Sequence, residues 1–167
     1  MVTIVEEGSE HCAAVAALNR MAFGEDYEAG LVERLRRDGV VVLSLVAVER
    51  GEVVGHILFS DLTVEMDARP IAAVSLASMA VRPDRERQGI GSALITEGLS
   101  ILRKNRQSVV LVLGPVRYYS RFGFSSELAR KLVSPFEGER FMALELEPGA
   151  LAGHVGSVRY PAAFGVG

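Results

Sequence analysis

The sequence predicts a single α/β domain, residues 1–167, built on a mixed sheet with helices on both faces. Its 167 residues suffice for one hydrophobic core and fit one domain of ordinary size. The 49% hydrophobic and 23% charged fractions are typical of a globular chain and show no bias towards disorder. Apolar runs with strand character alternate with segments of helical periodicity, and this order predicts the α/β class.

The N-terminal part is predicted to form one strand and two helices. Residues 2–6 alternate between apolar and polar side chains, as a strand does. Ser9 is a candidate N-cap for an alanine-rich helix that runs to about Phe23. A second helix is expected over residues 26–37, with Asp38-Gly39 as its end.

The middle of the chain is predicted to contain antiparallel strands. Residues 40–48 are apolar and β-branched, and the turn at 49–52 returns the chain into a strand over residues 53–64. Residues 66–70 are expected to be a loop. Residues 71–81 are small and uncharged, which indicates an interior strand that Pro83 ends.

The C-terminal half begins with a predicted strand, helix and strand unit. Apolar residues recur at helical spacing over residues 90–104, and residues 108–113 form a short buried strand. Together with the strand before them, they imply a parallel or near-parallel pair. A short helix near 116–121 and two strands, at 141–147 and 158–160, complete the chain.

Net charge, cysteine content and the N-terminal residues limit the partners and the cellular compartment that are expected. A net charge of −3 and a pI near 5.7 argue against nucleic acid as the main partner, because neutralising phosphates needs a basic face. Cys12 is the single cysteine, so an intrachain disulfide is impossible, which fits a reducing cytoplasm. The N-terminus is acidic and no apolar run reaches membrane-spanning length, so neither export nor membrane insertion is expected.

The most specific motif joins the strand that ends at Val81 to the helix that follows. Its sequence is Arg82-Pro83-Asp84-Arg85-Glu86-Arg87-Gln88-Gly89-Ile90-Gly91-Ser92-Ala93-Leu94. The main-chain amides of residues 88–92 are the unsatisfied donors of a helix N-terminus, which suit a phosphate anion. Glycine at 89 and 91 allows close approach of the backbone to a ligand.

Two other phosphate-binding motifs do not fit this junction. A P-loop would need Gly-Lys-Ser or Gly-Lys-Thr, whereas Gly91 is followed by Ser92-Ala93. A dinucleotide fold would have a third glycine and an acidic residue after the next strand, where Leu113-Gly114 stand. A turn with two glycines that merely starts a helix stays open as an alternative.

The junction resembles the signature of the GNAT (GCN5-related) N-acetyltransferases, which is Arg or Gln, two residues, Gly, one residue, then Gly or Ala. Gly89 and Gly91 match, and Glu86 stands where Arg or Gln is usual. Residues 112–124, which end in Phe122-Gly123-Phe124, are similar to the YhbS-like branch of that family, as are the tail segments at 141–146 and 158–164. The resemblance covers nearly the whole chain.

The resemblance implies a mostly antiparallel sheet of six to seven strands and transfer of an acetyl group from acetyl-CoA to a primary amine in a ternary complex. The amides of Met79 and Val81 would meet the thioester carbonyl, and Tyr119 would protonate the departing thiolate. Packing of the short helix against the sheet is the alternative role for Tyr119 and the expected role for Tyr118. The implied coenzyme-binding residues are Met79, Ala80, Val81, Arg87, Gln88, Gly89, Ile90, Gly91, Ser92, Ala93, Tyr119 and Phe122.

Several assignments stay open. The general base is not identified. The candidates are His56, Glu25 and Glu28, for which the alternatives are a structural role for the histidine and a solvated surface position for the glutamates. The arginines at 82, 85 and 87 fit a solvated loop and contact with phosphates equally well. His11 and His154 lack partners at metal-ligand spacing, so no metal is expected.

Two functional alternatives also remain. One is a non-catalytic acyl-CoA binding or sensing module, and the other is a small-molecule binder unrelated to coenzyme A. A homodimer is an open question, and the acceptor is expected to be a small-molecule or peptide amine.

Overall fold

The structure is a computed structural model that describes residues 1–24 and 27–166, without the side chains of Glu28 and Ala29. Glu25 and the side chain of Glu28, both named above, therefore lie outside what is described. The strands are β1 (Thr3–Glu6), β2 (Val41–Glu49), β3 (Glu52–Asp61), β4 (Thr63–Met66), β5 (Arg69–Ile71), β6 (Ala73–Val81), β7 (Val109–Leu113), β8 (Leu132–Val133), β9 (Phe141–Glu145) and β10 (Gly156–Arg159). The α-helices are α1 (Cys12–Phe23), α2 (Tyr27–Arg37), α3 (Ile90–Lys104), α4 (Val116–Tyr119) and α5 (Ser126–Ala129).

The chain divides into two compact units, and the first comprises Met1–Ser60 and Ala77–Ile101. Its strands follow the order β1-β2-β3-β6. β2 pairs antiparallel with β1 and with β3, so the predicted hairpin is confirmed. Its turn contains Arg50 and Gly51 with φ of 51° and 78°, the positive values that short hairpin turns favour.

Helix α3 packs closely on one face of β3 in this unit. A Cβ added to Gly55 would lie 2.9 Å from Ile90 Cγ2 and 3.0 Å from Leu94 Cδ1. One turn further on, a Cβ at Gly98 would lie 2.7 Å from Phe59 Cε2. Two glycines, one on each element, thus let helix and strand approach, and the predicted helix over Ile90–Lys104 is confirmed.

The first two helices bury the apolar faces that the periodicity predicts. Leu31 and Leu35 of α2 are buried, as is Val15 of α1. The prediction that Ser9 caps the N-terminus of α1 was wrong. Ser9 begins a 3-10 helix, Ser9–His11, and makes no side-chain capping bond to α1.

The second unit comprises Asp61–Leu76 and Leu102–Gly167. Its strands β6, β7 and β9 are neighbours in that order, with β7 parallel to β6 and antiparallel to β9. The predicted parallel pair is therefore confirmed. The principal sheet has six strands in the order β1-β2-β3-β6-β7-β9, and β6 has residues in both units.

A smaller sheet of the second unit, in the order β5-β4-β10-β8, departs from the predicted elements. The prediction of one continuous strand over residues 53–64 was wrong, because β3 ends at Asp61. The Asp61 carboxylate accepts a hydrogen bond from the amide of Leu62 at 3.0 Å. The expected loop at 66–70 is instead the β4–β5 hairpin, turning at Asp67 and Ala68 with φ of 48° and 66°.

Other differences are small. The helix expected near 116–121 is α4 followed by a 3-10 turn, Ser120–Phe122. The short elements α5 and β8 were not predicted. Within residues 1–24 and 27–166, no helix combines the length and apolar character needed to cross a membrane.

Candidate active site

The loop between β6 and α3 presents main-chain amides at a helix N-terminus. After a 3-10 turn at Pro83–Arg85, the chain takes positive φ at Arg87 (62°) and at Gly89 (83°). The amide of Ala93 donates to Gly89 O at 3.0 Å, so the amides of Ile90 and Gly91 precede the first helical hydrogen bond. These amides and the positive end of the helix dipole form an anion-binding geometry.

The backbone conformation at position 89, with φ of 83°, favours glycine over any residue with a side chain. A Cβ at this position would meet nothing within 4 Å, so the space beside it is open. The φ of 83° is costly for residues with a side chain. Ala93 cannot offer its amide to a coenzyme, because that amide is already bonded to Gly89 O. Only its exposed methyl group is available for contact with a ligand.

Carboxylates of the β2–β3 turn region hold two of the loop arginines. Arg82 Nε lies 2.7 Å from Asp84 Oδ1, and its Nη1 lies 3.1 Å from Glu52 Oε2. Arg85 contacts Glu49 with both terminal nitrogens, at 3.0 Å from Nη2. The hydrogen bond that Arg85 donates lowers the pKa of Glu49, and the hydrogen bond that Arg82 donates to Asp84 raises the pKa of Arg82. These two arginines therefore fix the loop to the sheet.

The rest of the loop faces solvent. Glu86, Arg87 and Gln88 are exposed, and Gln88 Oε1 accepts a hydrogen bond from Arg85 Nε at 2.9 Å. Arg87 forms no ion pair with any carboxylate in the described part of the chain. Of the three loop arginines, Arg87 is the one with its charge available to a ligand.

Strand β6 supplies the residues before the loop. Ala80 is buried, and Met79 and Val81 are half-buried. The parallel ladder with β7 covers Ala73–Leu76 and pairs them with Val109–Val112, so Met79 and Val81 lie past its last pair.

Tyr119, in the second unit, is a largely buried phenol. It is 7% exposed, and its ring packs edge-on against Tyr118 at 5.1 Å and Phe124 at 5.7 Å between centroids. Burial raises the pKa of Tyr119 to about 12, with a smaller contribution from Tyr118. The group is therefore a neutral proton donor near pH 7.

Gly114 makes room for this ring, and sequence analysis missed it. A Cβ at Gly114 would lie 2.4 Å from Tyr119 Cε2 and 3.0 Å from Cδ2. The ring can occupy its position only because residue 114 has no side chain. The five-residue spacing between Gly114 and Tyr119 in the sequence gave no indication of this contact.

A buried polar cluster links β1, β2, β3 and α2 in the first unit. Glu7, which follows β1, accepts hydrogen bonds at 2.5 Å from Arg36 Nη2 and from Ser44 Oγ. Ser44 Oγ lies 2.9 Å from His56 Nε2, which is 3.6 Å from Glu7 Oε1. Burial opposes ionisation of Glu7, but the bonds from His56, Arg36 and Ser44 outweigh it and lower its pKa to about 2.

The predicted site residues thus fall into two groups. The residues at 79–81 and 87–93 belong to the first unit, whereas Tyr119 and Phe122 belong to the second. His56 is fully buried in the polar cluster, as a structural histidine would be. Among the described residues, no group of three or more His, Cys, Asp and Glu side chains is arranged to hold a metal.

Comparison with known families decides the classification. The profile of the family described as "Acetyltransferase (GNAT) domain" matches residues 6–126. The chain belongs to the GNAT acetyltransferase family. Among its curated GNAT relatives, the uncharacterized N-acetyltransferase YhbS of Escherichia coli K12 is 36% identical over 149 residues, covering 87% of this chain and 88% of the relative.

Solved GNAT structures agree with this classification. The crystal structure of E. coli YhbS in complex with CoA has a TM-score of 0.89 and 34% identity, covering 98% of this chain and 92% of that one. A GNAT acetyltransferase from Brucella melitensis in complex with acetyl-CoA has a TM-score of 0.80 and 31% identity, covering 98% of each chain. The predicted family, its YhbS-like branch, the α/β fold and the class of N-acetyltransferase are confirmed.

Proposed function

We propose that this protein transfers the acetyl group of acetyl-CoA to a primary amine by direct attack within a ternary complex. The observation that carries the proposal is the loop from Arg82 to Gly89, anchored by its arginines and opening into α3 with unsatisfied amides. Relatives at 34% and 31% identity, crystallised with CoA and with acetyl-CoA, support the choice of ligand.

In this proposal the pyrophosphate of the coenzyme is held by the main chain of residues 88–92 and by the free charge of Arg87. Anions bind helix N-termini because the amides and the helix dipole both favour negative charge. The thioester end lies along Met79, Ala80 and Val81, whose main-chain amides stabilise the oxygen that becomes negative during attack. Phe122, half-buried beside Tyr118, and the methyl group of Ala93 add apolar contacts.

Tyr119 is proposed to protonate the departing thiolate. A phenol whose pKa is about 12 keeps its proton at neutral pH and has it to give when the carbon–sulfur bond breaks. The amine supplies the electron pair for the new carbon–nitrogen bond, so no covalent acyl-enzyme is needed. The proton that the neutral amine loses balances the proton that Tyr119 gives to the sulfur, and exchange with solvent restores the phenol. The thiol of Cys12 contacts Gly8 O and Arg36 and has no part in this scheme.

We also propose that residues 127–167, beyond the matched segment, belong to the same domain. Pairing of β9 with β7 and of β10 with β4 supports this, because β7 and β4 lie inside the segment. We place the protein in the cytoplasm, with a small-molecule or peptide amine as acceptor. Light scattering tests the hypothesis of a homodimer.

The proposed function is tested by calorimetry with acetyl-CoA and by thiol release against spermidine, a lysine peptide and kanamycin. Saturable coenzyme binding with amine-dependent thiol release is expected. Binding without release to any amine would favour the sensing module, and absence of binding would favour a ligand other than acetyl-CoA.

Tyr119→Phe isolates the role of the hydroxyl group. We expect kcat to fall about 100-fold, as when one proton donor is removed, with the Kd for acetyl-CoA unchanged. Tyr118→Phe is the matched control, because the neighbouring ring also keeps its packing and loses only its hydroxyl. Equal rates for the two variants would remove Tyr119 from the mechanism.

A further inference from the structure

The side-chain amide of Gln88 has its orientation fixed by a neighbouring arginine. Arg85 Nε lies 2.9 Å from Gln88 Oε1. A guanidinium nitrogen can only donate, so the atom that faces it must be the amide oxygen, and the NH2 group of Gln88 must lie at the other end. The chemistry of the donor therefore leaves Gln88 with two hydrogens that Arg85 does not use.

These two hydrogens are accessible to a ligand. The NH2 group of Gln88 makes no hydrogen bond within residues 1–24 and 27–166, and its side chain is exposed. Because consecutive Cα atoms are 3.8 Å apart, the Cα of Gln88 lies within about 7.6 Å of the Cα of Ile90. The amide of Ile90 precedes the first hydrogen bond of α3, so the Gln88 side chain starts beside the unsatisfied amides of the helix N-terminus.

Arg85 is held in turn by a carboxylate of the sheet. Both of its terminal nitrogens contact Glu49, one of them at 3.0 Å, and this pairing raises the pKa of Arg85, so the guanidinium stays charged. The side chain of Arg85 is 19% exposed and that of Glu49 is 21% exposed. Two nitrogens of the guanidinium thus bind Glu49, and the third binds Gln88. The pair is a partly buried support that fixes the amide.

The bond from Arg85 also makes the NH2 group of Gln88 a better donor. A charged donor at the carbonyl oxygen polarises the amide, and hydrogen bonds in a chain strengthen one another. A polarised NH2 group suits a phosphate oxygen, because hydrogen bonds to a charged acceptor are stronger than those between neutral groups.

Two other donors of the loop differ from Gln88 in this respect. Arg82 is bound to two carboxylates, those of Asp84 and Glu52. Arg87 offers a charge, but no hydrogen bond within the described residues orients its side chain. Gln88 combines a fixed orientation with unused hydrogens.

We propose that the side-chain NH2 group of Gln88 binds the pyrophosphate of the coenzyme, with Arg85 and Glu49 as positioning residues that fix its orientation. The inference rests on the proposed function, in which the pyrophosphate lies on the main chain of residues 88–92. It adds a side-chain donor to that binding site. It also gives the pair of Glu49 and Arg85 a role in recognition besides anchoring the loop.

Calorimetry with CoA on two variants of Gln88 separates the donor from its alternatives. Q88E keeps an oxygen for Arg85 and lacks the NH2 group, whereas Q88M lacks both and adds no charge. The Kd for CoA should rise about 10- to 100-fold in both variants, as expected when a hydrogen bond to a charged group is lost. Wild-type affinity in Q88E would mean that Gln88 only accepts the bond that holds the loop. Wild-type affinity in Q88M would mean that only charge matters at this position, and either result would overturn the proposal.

A thioester without phosphates locates the contact. The ratio of kcat/KM for acetyl-CoA to kcat/KM for S-acetyl-pantetheine should fall in Q88E and Q88M, with the amine that reacts fastest in the panel above. An equal fall for both thioesters would place the effect away from the pyrophosphate and would contradict the proposal. If the wild type binds CoA but transfers no acetyl group, the calorimetry decides alone.

The positioning role is tested by R85M in the wild type and in Q88M. If Arg85 acts through Gln88, R85M should raise the Kd for CoA in the wild type and by a clearly smaller factor in Q88M. An equal factor in both backgrounds would show that Arg85 only anchors the loop. If the wild type binds no CoA, the proposed function fails and takes this inference with it. If the wild type binds CoA and Q88E keeps that affinity, the inference alone fails.

Discussion

Gly114→Ala is expected to slow acetyl transfer by displacing the Tyr119 ring. The new Cβ would lie 2.4 Å from Tyr119 Cε2, whereas non-bonded carbons prefer about 3.5–4.0 Å. The ring must therefore move by about 1 Å, and a displacement of that size can lower the rate about 100-fold when it misplaces a reacting group. Overpacking should also lower the free energy of unfolding by about 1–3 kcal/mol.

The assay is steady-state thiol release, combined with calorimetry for acetyl-CoA binding. We expect kcat to fall while the Kd for acetyl-CoA stays within twofold. The double variant Gly114→Ala/Tyr119→Phe should be no slower than the slower single variant, because both changes act through one hydroxyl group. Full activity in Gly114→Ala, or additive losses in the double variant, would refute a positioning role for Gly114.

Three further predictions concern the first unit. Gly55→Ala should weaken acetyl-CoA binding about tenfold in calorimetry, because its Cβ would lie 2.9 Å from Ile90 and push the start of α3 away from β3. Gly30→Ala should raise the free energy of unfolding by about 0.5–1 kcal/mol, since it removes a helical glycine and meets only the movable end of Arg34; lower stability in urea titrations would contradict this. The pKa of Glu7 falls from 4.5 to about 2 on folding, so its stabilisation is complete above pH 4.5 and is lost as pH falls towards 2. Urea titrations should show a larger loss for the wild type than for Glu7→Gln, in which only other carboxylates such as Glu49 still titrate.

Local signals in the sequence predicted the elements next to the site. Helix α3 was predicted with its observed ends because apolar residues recur at helical spacing between the glycine turn and Lys104. The division between β3 and β4 was missed because Leu62 and Val64 resume the apolar pattern after Ser60-Asp61. In the structure the amide of Leu62 donates to the Asp61 carboxylate at the point where β3 ends. The β4–β5 turn was missed because Asp67 and Ala68 adopt positive φ without a glycine.

Contacts between distant residues could not be predicted. Glu7 and Ser44 are 37 residues apart, and Ser44 and His56 are 12 apart, so no sequence window contains the cluster. It forms because the register of β2 brings Ser44 beside both neighbouring strands. The contact of Gly114 with Tyr119 depends on the direction of a ring, which sequence spacing does not specify.

The pairing of Arg82 and Arg85 with carboxylates of their own chain affects how the loop can vary in evolution. Because Glu49, Glu52 and Asp84 already balance these charges, the loop keeps its shape without a ligand and without help from residue 86. Recognition by main-chain amides is independent of side-chain identity. The exposed side chain at position 86 is needed neither to hold the shape of the loop nor to bind the phosphates. Glu86, where the family usually has Arg or Gln, is compatible with both.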